Sequence, residues 1–267
     1  MASFSVASNI ASANAQANLQ VTQIGLQRSL SRLSSGFRIN NSGDDAAGLV
    51  AANSYRTDVA IINQGIRNAN DGLSDLQVKD GALANVATLL DRLATLAAQA
   101  ASGTTTDESR ATLDAEFADV IAEIDREVTV AELDTDSGFS VFVSADGGDG
   151  KISGTIIAAM AADLGIDSSS LATQSDADDA VEAVKDAIAT LGDSQAKIGA
   201  LENRLQFAIG LGNSQSVNTR AAESRIRDAN IAEESANMTR YSILTQSGVA
   251  ALAQANQSAS AVLSLLR

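Results

Sequence analysis

The sequence predicts a mainly α-helical protein: a long antiparallel rod of coiled-coil helices with a small insert that contains a β-hairpin. Proline is absent from all 267 residues, which favours long helices because proline removes a backbone donor and clashes in a helix interior. Aromatic residues make up 3% of the chain, so the core must be narrow and formed between helices. Apolar residues recur at intervals of seven in two segments separated by a short insert. The two segments are therefore predicted to run antiparallel, which returns both ends of the chain to the same end of the molecule.

The first helical pattern is weak, and the second ends at a glycine. Residues 1–18 are rich in Ala, Ser and Asn, and a helix there would be marginal on its own because isolated helices shorter than about 12–15 residues are unstable. A second pattern runs over residues 19–33, and Gly36 is placed to end it as a C-cap. The polar turn 40–43 follows, and the two aspartates after it favour the positive N-terminus of the next helix.

The longest helix is predicted over residues 44–100, which corresponds to about 85 Å at the standard rise. A second, neighbouring line of apolar residues at seven-residue spacing on this helix is interrupted at Asp80. After Gly103, residues 105–108 form a capping box that begins a third helix, with its apolar face between residues 113 and 128. The long helix has an apolar residue at every seventh position, namely Ile62, Ala69, Leu76, Leu83, Leu90 and Ala97.

The pattern changes between residues 129 and 175. Residues 139–143 alternate like a strand, a glycine-rich turn follows, and residues 151–157 are the predicted return strand. Helical spacing resumes after Ser175 and again places apolar residues seven apart, at Val184, Leu191, Ile198 and Leu205.

Composition excludes several classes of function. The chain has no cysteine and no histidine, so it lacks thiolate chemistry and the side chain most used for acid–base work and transition-metal binding. We therefore expect no enzyme, no cofactor and no metal site. The net charge of −15 is concentrated in residues 104–186, which hold 20 acidic and 4 basic residues, and this argues against nucleic-acid binding. No apolar run reaches the ~20 residues of a membrane span, and residues 1–27 lack the basic start of a secretory signal peptide.

The two ends of the chain carry the candidate binding surface. Both are nearly uncharged and have apolar residues in a seven-residue rhythm, which indicates helices completed by other molecules. The alternative is an ordinary helix pair within one chain. Because small side chains bury little area, we expect residues 1–35 and 235–267 to be disordered in the single chain and to fold when the chain binds its partners. The residues predicted to form this binding surface are Leu19, Leu26, Leu30, Leu33, Ile231, Met238, Leu252, Ala259, Val262 and Leu266.

Two motifs closely resemble the signatures of bacterial flagellins. Residues 33–49, LSSGFRINNSGDDAAGL, resemble the N-terminal signature, and residues 224–234, SRIRDANIAEE, resemble the C-terminal one. Supporting matches occur at residues 202–205 (ENRL), 252–256 (LAQAN) and 263–267 (LSLLR). The resemblance implies a subunit that polymerises into the flagellar filament, an extracellular propeller, in a short form with a reduced variable outer domain. The apolar residues predicted for the terminal binding surface would then be its self-assembly residues.

The resemblance also implies a domain layout and a set of partners. Residues 1–43 and 230–267 would pair as an inner domain that lines the channel, residues 44–137 and 176–229 would form a helical shell, and residues 138–175 would be an outward-facing insert. The partners would be other copies of the chain, sister flagellins, the filament cap, hook–filament junction proteins, an export chaperone and the flagellar type III export apparatus. The alternatives are a hook–filament junction protein or, from another class, a helical adhesin.

A joint between the inner and shell domains is predicted where the two motifs meet. It comprises Asn40, Asn41, Asp44, Asp45, Arg225, Arg227 and Asp228. Salt bridges between these arginines and Asp44 or Asp45 are one expectation, and a turn that merely caps a helix is the alternative.

Two further groups of residues have weaker signals. Arg92, Leu96 and Glu116 match residues that Toll-like receptors contact in recognised flagellins, and the alternative is that they pack neighbouring subunits. The acidic segments 134–136 and 146–149 superficially resemble calcium ligands. Because Ile157 occupies the position where an EF-hand needs its glutamate, we expect solvated turns instead.

Overall fold

The computed structural model describes residues 9–144 and 150–265, with side chains up to residue 258. These ranges are mainly helical and include one two-stranded antiparallel sheet, which confirms the predicted fold class. The elements are α1 (Ile10–Ser35), α2 (Ala46–Ala101), α3 (Asp107–Val130), β1 (Ser137–Phe142), β2 (Lys151–Ile156), α4 (Gln174–Arg227) and α5 (Ile231–Leu265).

The chain divides into two compact units. The first, which we call the terminal unit, comprises Met1–Thr57 and Asn218–Arg267. The second, the central unit, comprises Asp58–Val217.

Helix α1 in the terminal unit begins earlier than its strongest sequence pattern and ends where that pattern predicts. The side chain of Asn9 accepts a hydrogen bond from the Ser12 N–H at 3.1 Å and so caps the first turn. At the other end, Gly36 has a φ of 75°, and its N–H donates to the carbonyl of Arg32 at 2.9 Å. Glycine ends the helix because it adopts this left-handed conformation without a Cβ penalty.

The core of the central unit follows the predicted seven-residue spacing. Leu76, Leu83 and Leu90 on α2 are fully buried, as is Phe117 on α3. Helix α4 runs antiparallel to α2, since Ser216 Oγ donates to Asn63 Oδ1 at 3.1 Å and the backbone of Gly212 lies against Ile66. The predicted heptads of α4 are buried at Val184, Leu191, Ile198 and Leu205.

Helix α3 is capped by Thr106, one residue later than the predicted capping box, which starts at Thr105. The hydroxyl of Thr106 accepts from the Ser109 N–H at 3.3 Å, and α3 begins at Asp107. Thr105 instead donates from its hydroxyl to the carbonyl of Gln99 at 2.7 Å. The free carbonyls at the end of α2 thereby gain a side-chain partner, which explains the shift.

The β-hairpin confirms the predicted pair of strands and packs closely against α2 at a glycine. Ser137 pairs with Ile156 at one end of the ladder, and Phe142 pairs with Lys151 at the other. A Cβ on Gly65 would overlap the carbonyl oxygen of Val143, which follows β1. The hairpin therefore approaches α2 more closely than any residue larger than glycine would allow.

Candidate functional site

The helices α1 and α5 pack against each other in the terminal unit and run antiparallel. Near the start of α1, Asn9 Nδ2 donates to the carbonyl oxygen of Ala255 at 3.0 Å. Near its end, Arg32 Nη1 donates to Glu234 Oε1 at 3.1 Å. Because residue numbers rise along α1 as they fall along α5, these contacts fix both the direction and the register of the pair.

One glycine on each helix sets how closely α1 and α5 approach. A Cβ on Gly25 would lie 2.7 Å from Cε1 of Tyr241, and a Cβ on Gly248 would lie 3.1 Å from Cδ1 of Leu19. The tyrosine ring and the leucine side chain therefore fill space that a larger residue would occupy. Sequence reasoning singled out Leu19 but missed the two glycines and the tyrosine.

The residues predicted for self-assembly differ in burial. Leu30 and Ile231 are 47% and 52% exposed. The backbone at Ala259 and Val262 is helical, but their side chains are outside the described part of the chain, as is all of Leu266. The remaining five are half-buried, namely Leu19, Leu26, Leu33, Met238 and Leu252.

Sequence reasoning also missed apolar side chains that the helix pair leaves uncovered. Val21 and Ile24 on α1 are 69% and 51% exposed. On α5, Ile243, Leu244 and Val249 are 60%, 45% and 54% exposed. We call these five the uncovered residues. Their apolar character at positions off the heptad lines is the signal that could have identified them.

Arg32 connects three segments of the terminal unit. Its guanidinium pairs with Glu234 on α5 at 3.1 Å and lies 3.9 Å from Asp44, which precedes α2. The Asp44 carboxylate also accepts from the backbone N–H groups of Asn41 and Asn40, at 3.1 and 3.2 Å. These hydrogen bonds, the one from Asn41 foremost, hold the pKa of Asp44 below its ordinary value. The carboxylate thus fixes the turn after α1.

The predicted joint is tied together by backbone hydrogen bonds. Phe37 and Asp228 form an isolated antiparallel bridge, in which the Arg38 N–H donates to the carbonyl of Arg227 at 2.6 Å. The guanidinium of Arg227 stacks 4.2 Å above the ring centroid of Phe37. Such a stack contributes about 0.5–2 kcal/mol, and more as the pair is shielded further from water.

The expected salt bridges of the joint are replaced by other contacts. Asp44 pairs with Arg32, and Asp45 accepts from the Gly48 N–H at 2.9 Å, which caps α2. Arg227 lies 3.9 Å from Glu223 on its own helix, and Arg225 is exposed. Among the residues with described side chains, neither Arg225 nor Arg227 pairs with these aspartates, because each carboxylate is engaged closer to its own turn.

The three residues matched to receptor contacts lie on α2 and α3. The Arg92 guanidinium donates from Nε to Glu116 Oε1 at 3.0 Å, and both side chains are exposed. Leu96 is buried in the core of the central unit. The structure therefore presents the ion pair at the surface and keeps the leucine inside.

The acidic segments do not form a metal cluster within the described residues. Asp136 Oδ1 accepts from the Ala158 N–H at 2.8 Å and so fastens the chain after β2. Residues 146–149 lie outside the described part of the chain. Across residues 9–144 and 150–265, no group of three or more candidate ligand side chains is placed to hold a metal ion. No helix in these ranges has the length and apolar character needed to cross a bilayer.

Two family models match the sequence at its two ends. The bacterial flagellin N-terminal helical region matches residues 6–134, and the bacterial flagellin C-terminal helical region matches residues 181–266. These matches include both α1 and α5.

Known proteins resemble the chain along nearly its whole length. A flagellin of Halalkalibacterium halodurans is 34% identical over 267 residues, which covers 97% of this chain and 98% of the relative. Flagellin FlaB1 of Treponema pallidum is 32% identical over 281 residues, with coverage of 97% and 98%. A solved structure from Vibrio parahaemolyticus, described as flagellar hook-associated, has a TM-score of 0.56 at 13% identity and covers 69% of this chain and 100% of that chain. That likeness concerns the fold alone.

Proposed function

The chain belongs to the bacterial flagellin family and is a structural subunit of the flagellar filament, and we propose that the paired helices α1 and α5 are the surface through which its copies assemble. The observation that carries the proposal is the exposure of the uncovered residues on the paired helices, among which Val21 and Ile243 are 69% and 60% exposed. Neighbouring copies would cover these side chains. Burying a large aliphatic side chain contributes about 1.5–3 kcal/mol. The whole-length relatives are flagellins, so a hook–filament junction protein is not favoured.

The assembly we propose is an open helical tube built from heterologous contacts. Residues 1–43 and 230–267 would form the inner domain around the channel, and residues 44–137 and 176–229 would form the surrounding shell. Residues 138–175 would face outward. The distribution of charge supports this layout, because residues 104–186 hold 20 acidic and 4 basic residues and suit a solvated exterior.

We infer a mechanical role in which no residue performs chemistry and the subunit acts outside the cell. The partners that follow from membership of the family are other copies and sister flagellins, the filament cap and the hook–filament junction proteins. Delivery would require an export chaperone and the flagellar type III export apparatus. A pull-down of the purified chain with each component tests these partners one at a time.

The terminal helices are proposed to be ordered by polymerisation. Their contact relies on small residues such as Gly25 and Gly248, and part of their apolar surface stays uncovered in the single chain. Such a contact offsets little of the ordering cost of about 1–2 kcal/mol per residue. Amide exchange on the monomer tests the proposal: we expect weak protection in α5 beside strong protection in α2. Equal protection of the two helices would contradict it.

A pair of matched valines tests whether the uncovered residues drive assembly. Val21 on α1 and Val130 on α3 are 69% and 71% exposed, so serine at either position should leave the stability of the monomer nearly unchanged. We expect Val21→Ser to raise the critical concentration for polymerisation about tenfold, since a loss of ~1.4 kcal/mol per contact corresponds to a factor of ten. Val130→Ser should leave it within about twofold. Equal effects at the two positions would refute the assignment.

A truncation separates the filament subunit from the adhesin alternative. Deleting residues 240–267 removes most of α5 and leaves the central unit intact. We expect a helical chain that cannot polymerise. An adhesin would keep its binding to a target surface after the same deletion, and polymerisation of the truncated chain would overturn the proposal.

A further inference from the structure

A polar cleft of about 370 Å³ lies within the terminal unit, between α1 and the turn that follows it. One wall is formed by residues of α1 at the i, i+3, i+4 and i+7 spacing of a single helix face, namely Ile24, Gln27, Arg28 and Ser31. The turn of residues 40–44 forms the other wall. It is held against α1 because Asn40 Nδ2 donates to Ser31 Oγ at 3.0 Å. The single chain therefore already gives the cleft its shape.

Arg32, one of the two cations that line the cleft, is engaged within its own chain. Its Nη1 donates to Glu234 Oε1 at 3.1 Å, and its Nη2 lies 3.9 Å from Asp44 Oδ1. The Asp44 carboxylate also accepts from the N–H groups of Asn40 and Asn41. The charges of Arg32 and its two carboxylate partners are thus satisfied without a second molecule.

Arg28 is the cation of the cleft that has no partner of its own. Its exposed guanidinium makes no hydrogen bond or ion pair with any side chain or backbone group in the described part of the protein. The side-chain amides of Gln27 and Asn41, which also line the cleft, make no hydrogen bond among the same residues. A guanidinium beside two amide N–H₂ groups offers several donors in a small space, and a carboxylate is the side chain that accepts from them best.

Ile24 gives the cleft an apolar side and connects it to the proposed assembly surface. This residue lines the cleft, is 51% exposed and is one of the uncovered residues. An aspartate or glutamate side chain carries a methylene stem below its carboxylate, so the stem would pack on Ile24 while the carboxylate meets Arg28. The cleft therefore continues the surface through which copies of the chain are proposed to assemble.

The charges of the two units indicate where such a carboxylate comes from. The terminal unit, Met1–Thr57 and Asn218–Arg267, contains nine basic and six acidic side chains. The central unit, Asp58–Val217, contains nine basic and 27 acidic side chains. Units of opposite net charge attract when two copies approach, and complementary charge selects how they meet. The central unit of another copy is therefore the richest source of an acidic side chain for the cleft.

We propose that the cleft around Arg28 binds an acidic side chain from the central unit of a second copy and so fixes the register between neighbouring subunits. The proposal rests on the proposed assembly of copies through the terminal unit, and it adds an ionic contact to the apolar one. Arg28 would donate to the carboxylate through charge-assisted hydrogen bonds, which are stronger than those between neutral groups.

A matched pair of arginines tests the cleft. Arg56 lies on α2 in the same unit, is exposed and, like Arg28, makes no hydrogen bond or ion pair within the described part of the chain. At about 50 mM NaCl we expect Arg28→Gln to raise the critical concentration for polymerisation about tenfold, and Arg56→Gln to leave it within about twofold. At about 500 mM NaCl the effect of Arg28→Gln should shrink, because salt screens the contact. Equal effects of the two variants at low salt, or an effect of Arg28→Gln that salt does not reduce, would overturn the proposal.

The same assay separates this proposal from the broader one. If Val21→Ser impairs polymerisation as expected but Arg28→Gln behaves like Arg56→Gln, the cleft assignment fails and the assembly surface stands. A parent chain that does not polymerise would overturn both.

A zero-length cross-link identifies the acidic partner directly. The terminal unit contains no lysine, so Arg28→Lys keeps the charge and places a single lysine amine there. In filaments treated with a water-soluble carbodiimide, this amine attacks an activated carboxyl group and forms an amide, while the carbodiimide takes up the lost oxygen and becomes a urea. Filaments mixed from isotope-labelled and unlabelled chains distinguish links between copies from links within one copy.

We expect mass spectrometry to find residue 28 joined to an acidic residue of Asp58–Val217, in pairs that combine a labelled with an unlabelled chain. Links confined to Asp44 or other acids of the same copy would overturn the proposal. An absence of links at residue 28 would overturn it as well.

Discussion

The contact between the β-hairpin and α2 predicts different effects on stability for the same substitution at two glycines of one helix. A Cβ on Gly65 would overlap the carbonyl oxygen of Val143. Because the backbone fixes the positions of both atoms, the helix or the hairpin would have to move. Gly81, on the same helix, is exposed and has no atom within 4 Å of the corresponding Cβ position. Gly65→Ala and Gly81→Ala therefore add the same methyl group to the same helix, in crowded and in open surroundings.

The expected magnitudes follow from two terms. Alanine is favoured over glycine in a helix interior by about 1 kcal/mol, and this gain applies at both positions. At Gly65 it is opposed by overpacking, which typically costs about 1–3 kcal/mol. We expect Gly81→Ala to raise the free energy of unfolding by ~1 kcal/mol and Gly65→Ala to leave it unchanged or lower it by up to ~2 kcal/mol. For a unit of this size the two melting temperatures should then differ by roughly 2–12 °C.

Thermal and urea unfolding of the two variants, each compared with the parent protein, provide the assay. The slope of the urea transition should stay the same in all three, because the surface exposed on unfolding does not change. If Gly65→Ala were as stable as Gly81→Ala, the hairpin would not lie on α2 at this distance. The reasoning from the glycine contact would then be wrong.

Three further predictions concern the terminal unit. Gly25→Leu should abolish filament growth, because the leucine would occupy the space of the Tyr241 ring. The yield of polymer is measured by sedimentation, and a normal yield would show that the ring lies elsewhere. This chain has no cysteine, so the double substitution Leu19→Cys with Gly248→Cys should form a disulfide within one subunit of the filament, since the two Cβ positions are 3.9 Å apart. Cross-links between subunits on a non-reducing gel would contradict the register. Gly36→Ala should lower the stability of the terminal unit in the filament by about 1–2 kcal/mol, because Gly36 has a φ of 75°, which alanine adopts only at a cost. An unchanged melting temperature of the polymer would refute this expectation.

The sequence predicted the helices of the central unit because their pattern is set by burial within one chain. Leu76, Leu83 and Leu90 repeat every seven residues and are fully buried, so spacing alone located the seam of α2. The strands were predicted from alternation and confirmed by the pairing of β1 with β2. The close approach of the hairpin could not be predicted, since the sequence around Gly65 does not reveal that the backbone of Val143 lies against it.

The candidate site was predicted less completely, for a similar reason. The heptad lines included Leu19, but the face of α1 that stays uncovered depends on where α5 lies, and the pattern of one helix does not contain that information. Val21 and Ile24 were missed on this account. The ionic contacts of the joint were also misplaced, because Arg32 lies closer to Asp44 than the arginines of the C-terminal motif do.

A helical reconstruction of filaments grown from this chain alone tests the central claim most directly. We predict that the innermost layer contains α1 and α5 of each subunit, antiparallel, with Tyr241 against Gly25 of the same chain and with Val21 and Ile243 covered by neighbouring copies. The hairpin should lie at the largest radius. A filament in which α1 pairs with α5 of another copy, or in which α1 and α5 lie outside the other helices, would contradict the account.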